Sequence, residues 1–130
     1  MSAPIQTAAF WDQSADGYIA SAEPFTAQFC VDAMELAAIE PGMTLLDVAT
    51  GPGALALAAA RAGAVVTAID FSETMVDRLR GRVGDLPVDA QCMDGQALAL
   101  ADASFDRACS VFGVPLFPIG APACAKWRGC

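Results

Sequence analysis

Apolar positions in this chain fall into short continuous runs separated by stripes at helical spacing. Residues 26–39 place Phe29, Leu36 and Ile39, with Ala33 and Ala37, on one face at the 3.6-residue period, which predicts a helix ended by Pro41-Gly42. Before it, residues 1–24 are polar and without period and read as irregular, with Trp11 and Tyr18 as aromatic anchors. Thr44–Ala49 (TLLDVA) is a short apolar run, a first strand, and Gly51-Pro52-Gly53 turns the chain out of it. Ala54–Ala62 is rich in helix-forming alanine and leucine, with Gly63 placed to cap its end. Ala64–Ile69 (AVVTAI) is β-branched and apolar, a second, buried parallel strand. Ser72 is a natural N-cap for a helix over 73–82 that turns Met75, Val76 and Leu79 inward. Val88–Cys92 is a weaker third strand and Asp106–Phe112 a fourth. Alternation of this kind implies an α/β fold, a parallel sheet with flanking helices. From Gly113 to Cys130 six residues are Gly or Pro and no period survives, so no regular element is assigned there.

Composition narrows the chemistry. The length, 130 residues with 55% hydrophobic, fits one domain with a substantial core. Fifteen acids against seven Lys and Arg leave a net charge of −8, which argues against nucleic acid as the main partner, since phosphate binding needs a basic face. No apolar run approaches the ~20 residues of a membrane-spanning helix, and Met1–Phe10 lacks a basic lead into an apolar block, so a soluble cytoplasmic protein is expected. Cysteines at 30, 92, 109, 124 and 130 form no C-x-x-C pair, and histidine is absent. A Cys/His zinc site is therefore not expected, and nucleophile–histidine catalysis is excluded.

The candidate chemistry centres on LLDVATGPG, Leu45–Gly53. Gly51 and Gly53 allow close backbone approach to a ligand, and the following helix N-terminus suits an anionic group. A plain strand-to-helix turn would use the same glycines. Asp47 lies inside an otherwise apolar strand, where an unpaired carboxylate is costly. A ligand with both an ammonium and a carboxylate would use both features, as the methionine end of S-adenosylmethionine does, although Asp47 can equally brace the loop amides. Asp70 ends the second strand nineteen residues after Gly51, placed either for ribose hydroxyls or as a solvated strand-end acid. Phe71 and Met75 can wall an adenine ring or simply pack the helix on the sheet. Asp94-Gly95 follows the third strand, where an acid can accept from an adenine amino group, although Asp-Gly is also a common turn. Ser110 lies at the end of the fourth strand, on the side where ligands of such sheets lie. Trp11 and Tyr18 can cover the ligand or pin the N-terminal segment.

Taken together, LLDVATGPG, VVTAIDFSETMVDRLR and CMDGQALALADASFDRACSVF resemble the motifs of class I S-adenosylmethionine-dependent methyltransferases, notably the small-molecule group that includes ubiquinone- and menaquinone-biosynthesis enzymes. The resemblance covers about residues 10–117, with Ala49 where many members have glycine. It implies a Rossmann-like, seven-stranded sheet of which this chain supplies strands ordered 3-2-1-4, S-adenosylmethionine as methyl donor, and direct in-line transfer to a small-molecule acceptor. Carried over, Asp47 and the loop of Ala49, Thr50, Gly51 and Gly53 hold the methionine moiety, Asp70 the ribose and Asp94 the adenine. Residues 1–117 are expected to form the cofactor-binding domain and 118–130 an irregular tail, the sequence departing from the family near residue 119 as a truncated or frameshifted end would. The fourth strand would then present an open edge through which copies could associate. Two other readings remain: an inactive cofactor-binding remnant, and a nicotinamide-dependent oxidoreductase, because Gly51-x-Gly53-x-x-Ala56 with Asp70 satisfies a loose dinucleotide fingerprint.

Overall fold

The computed structural model describes residues 4–95, 100 and 105–111. Four parallel strands, β1 (Thr44–Val48), β2 (Val65–Asp70), β3 (Val88–Cys92) and β4 (Arg107–Cys109), lie in the order β3-β2-β1-β4. The expected sheet order is therefore present. Helices α4 (Ala54–Arg61) and α5 (Glu73–Val83) join β1 to β2 and β2 to β3. Both pack on one face, in a core of Leu45, Leu57, Val66, Ala68, Val76 and Leu79. Leu46, Val48 and Ile69 point to the other face, against Met93, Leu100, Phe105 and Ala108. This alternation along β1 places Asp47 on the same face as Leu45, towards α4.

The N-terminal segment differs from expectation. Residues 1–24 were expected to be irregular, yet α1 (Ala8–Gly17) is followed by a π-helical turn (Tyr18–Ala22) and a short α2 (Glu23–Thr26). Thr7 caps α1, its hydroxyl accepting from the Phe10 amide at 3.3 Å. The expected helix over 26–39 is shorter, α3 (Gln28–Leu36), and turns a different face inward: Cys30 is buried, whereas Phe29 is 38% and Leu36 89% exposed. Its carbonyl end is held by β4, Arg107 Nε donating to the Ala37 carbonyl at 2.6 Å. The Gly113–Cys130 tail and Phe112 of the expected fourth strand lie outside the described residues.

The boundary residues act as the sequence implied. Ser72 caps α5, accepting from the Met75 amide at 3.2 Å. Gly63 takes φ 100° and abuts Pro41, where a Cβ would sit 2.9 Å from the proline side chain.

Candidate functional site

The site lies at the carboxyl ends of β1, β2 and β4, where a parallel sheet of this topology receives its ligands. β1 delivers Asp47, which is 2% exposed. The turn that follows is left-handed at three points, Ala49 (φ 57°), Gly51 (φ 58°) and Gly53 (φ 94°). An L-residue at Ala49 is strained by its Cβ in that region, which accounts physically for the glycine common at this place in the resembled motif. The Thr50 amide donates to the Ile69 carbonyl at 2.9 Å and so ties the turn to β2.

The two glycines serve different ends. Nothing lies within 4 Å of a Cβ built on Gly51, so this side of the turn is open. A Cβ on Gly53 would fall 2.1 Å from Leu79 Cδ1. Gly53 thus lets α4 start against α5, so its bareness serves helix packing.

Asp47 accepts from the Thr50 hydroxyl at 2.7 Å. Burial pushes its carboxyl up to about 7, with the nearby Asp70 charge adding to the effect, against lowering by the Thr50 hydroxyl and the Ala56 amide. Asp47 does brace the loop, therefore, but it also faces a cleft of about 40 Å³ lined by Tyr18, Thr26 and Cys30 from the N-terminal segment and by Ala49, Thr50 and Gly51 from the turn. Cys30 in the cleft wall and Cys109 beside Asp47 on β4 are thiols raised to about 11, chiefly by burial and then by the Asp47 charge.

Asp70 is not a solvated strand end. It is 6% exposed, and its two oxygens accept from the Gly51 and Ser72 amides, each at 2.9 Å. Burial raises its carboxyl above the usual range despite those amides. The Phe71 amide also lowers it, so backbone amides from both the turn and the start of the following loop hold this carboxyl. Met75 is 2% exposed and packs inside the fold, while Phe71 is half-buried. Gly95 is buried and Asp94 exposed beyond β3. Ser110 follows β4, its hydroxyl oxygen buried without a hydrogen-bond partner among the described residues. A buried hydroxyl without a partner is costly.

Sequence reasoning left out the residues that seat the N-terminal segment. Asp12 of α1 accepts from the Ser72 hydroxyl at 2.6 Å and from the Thr74 amide at 3.2 Å, and these bonds hold its carboxyl below the usual range. Asp16 meets Arg78 at 2.9 Å. Glu23 is 7% exposed and pairs with Arg82 through both oxygens, at 2.8 and 2.9 Å. The available signal was Asp12 and Asp16 four apart, matching Thr74, Arg78 and Arg82 four apart, but the pairing became visible only once the two helices lay side by side. Trp11 bonds within the segment, its indole donating to the Ile5 carbonyl at 2.8 Å, whereas Tyr18 lines the cleft, its hydroxyl 3.0 Å from that of Thr26.

A family model described as a methyltransferase domain matches residues 45–126. The chain belongs to that family. Together with its sheet order, this makes it a class I, S-adenosylmethionine-type methyltransferase domain of Rossmann-like fold. The domain is 38% identical over 84 residues to an uncharacterized protein of Mycobacterium tuberculosis, covering 63% of this chain and 31% of that protein. It is 32% identical to the demethylmenaquinone methyltransferase of a Parafrankia species, covering 85% of this chain and 52% of the enzyme. Among solved structures, the YcgJ protein of Bacillus subtilis superposes with a TM-score of 0.69 at 21% identity, over 74% of this chain and 42% of that one. The methyltransferase domain thus spans a third to a half of the length of these curated relatives.

Proposed function

We propose that this chain binds S-adenosylmethionine and serves methyl transfer to a small-molecule acceptor. The observation that carries the reading is the buried Asp47 facing a cleft between Tyr18 and a left-handed turn whose Gly51 side is open. The donor set fits the cofactor. Asp47 as carboxylate would take the ammonium of the methionine moiety, with Ala49, Thr50, Gly51 and Gly53 shaping the turn around it. Asp70 would take ribose hydroxyls, and Asp94-Gly95 the adenine edge, with Phe71 at the ring's side and Met75 supporting it from the core. The orphan hydroxyl of Ser110 stands on the β4 side, where a polar atom of the ligand would satisfy it.

When bound, the cofactor supplies a methyl group already activated as a sulfonium substituent. What remains for the protein is to hold donor and acceptor in line and to exclude water. Tyr18, Thr26 and Cys30 close one side of the cleft, and Ala49, Thr50 and Gly51 of the turn with Ala54 and Leu55 of α4 form the other. The Parafrankia relative's name supports a small ring-bearing acceptor. No helix among the described residues is long and apolar enough to cross a membrane, and we place the protein in the cytoplasm. Residues 1–117 are read as the cofactor-binding unit and 118–130 as an irregular tail, although the family match runs across that boundary to residue 126.

Thermal shift tests the ligand directly. S-adenosylhomocysteine is expected to raise the melting temperature, by about 2.7 kcal/mol of added stability at a hundred times its dissociation constant, and NAD to leave it unchanged. Equal shifts with both would overturn the reading in favour of a dinucleotide enzyme.

A further inference from the structure

Three carboxylates of the N-terminal segment dock on one stripe of α5, but Glu23 does more than dock. Its partner Arg82 also donates from Nη1 to the Pro52 carbonyl at 2.9 Å, inside the glycine turn. One guanidinium therefore joins α2 to the turn, and both line the same cleft. Glu23 is nearly fully buried, and taking a carboxylate out of water for an ion pair is seldom a net gain in stability. Arg82 has the planar fork to serve both acceptors at once, which lysine lacks. The adjoining π-helical turn, Tyr18–Ala22, brings Tyr18 to the cleft, and π turns are often found at functional sites.

We propose that Arg82 is a positioning residue: through Glu23 and the Pro52 carbonyl it makes the N-terminal segment and the glycine turn close together on the bound cofactor, without touching the cofactor itself. This rests on the S-adenosylmethionine reading above. The bridge holds both walls of the cleft, so its strength appears in how long the ligand stays.

The experiment uses the full chain and S-adenosylhomocysteine, with affinity from calorimetry and dissociation rate from stopped flow, well below each variant's melting temperature. Glu23→Gln and Arg82→Lys should each speed dissociation and raise Kd about tenfold, and Arg61→Lys, on an exposed residue at the end of α4, should change neither. Unchanged or tighter binding in folded Glu23→Gln or Arg82→Lys overturns the proposal. A wild-type readout covers variants that fail to fold: the ligand should slow amide exchange in residues 8–26 and in 51–57 together, and protection confined to the turn overturns the coupling. Wild type that binds no S-adenosylhomocysteine defeats the cofactor reading, a result separate from any of these.

Discussion

Asp47 holds a carboxyl in the fold interior whose proton comes off near pH 7, about three units above its ordinary value of 3.8. The native state therefore keeps a proton that the unfolded chain has lost throughout pH 4 to 7. Stability from this group is greatest below pH 4 and falls as pH rises to 7, by at most about 1.4 kcal/mol per unit. Asp70 is shifted in the same direction, while Asp12 and Asp16 are lowered and act oppositely at more acid pH. Asp47→Asn should flatten the stability profile between pH 4 and 7 and raise the melting temperature of the free protein at pH 7.5. It should also weaken S-adenosylhomocysteine binding, the trade expected of a strained site. Wild-type affinity should fall up to about tenfold per unit below pH 7, because an ammonium needs the ionised acid. Calorimetric titration from pH 5.5 to 8.5 checks this, and a flat profile would mean Asp47 only braces the loop. The neighbouring glycines separate in the same way. Gly53→Ala drives a Cβ into Leu79 and should cost about 2–5 kcal/mol, from overpacking plus left-handed strain. Gly51→Ala meets open space and should cost about 1–2 kcal/mol, from strain alone, while losing most ligand affinity. Urea denaturation with and without ligand distinguishes the two.

At the level of elements, α1 and α5 lie side by side and are joined by side chains. Ser72 caps α5 and is itself fixed by Asp12, so one carboxylate serves the N-terminus of a helix on another element. Its charge also meets the positive end of the α5 dipole. Asp12→Ala should destabilise the chain by about 0.5–2 kcal/mol, the range for losing a helix cap, and should expose residues 8–17 to protease before the rest unfolds. Limited proteolysis beside a melting curve checks both. A loss of global stability with no early cleavage would show that α1 is held by its other contacts. Arg80 ties α5 to β3 through the Ala90 carbonyl at 2.9 Å, so α5 is anchored on the sheet side independently of α1.

At the scale of the whole molecule, the described sheet ends at β4, which pairs with β1 and with no second strand among the described residues. An edge of this kind offers backbone groups to another chain, and Phe25 and Leu36 add exposed apolar surface at 61% and 89%. The net charge of −8 opposes close approach of two copies. We expect association at low micromolar concentration to strengthen with salt, which screens that charge. Light scattering across concentration and ionic strength measures it. A monodisperse monomer under all conditions would show that the edge is covered.

Much of this was legible in the order of residues alone. The alternation of apolar runs with helix-forming segments determined four parallel strands and the helices between them, because the period of side-chain burial is a local property of the chain. Asp47 and Asp70 stood out because a carboxyl inside an apolar run needs a reason, and Ser72 and Gly63 because caps are short-range. Tertiary structure decided what depends on partners distant in sequence. Gly51 and Gly53 are the same residue in the sequence, and only the arrival of Leu79 separates the open one from the packed one. Residues 1–24 lack a strong apolar stripe because much of their attachment is ionic and hydrogen-bonded, through Asp12, Asp16 and Glu23, and such bonds leave no periodic trace. The face of α3 was misread for a related reason: the sequence shows which residues are apolar, but which of them is buried depends on the element packed against the helix, here one that takes Cys30 inward and leaves Phe29 and Leu36 to solvent.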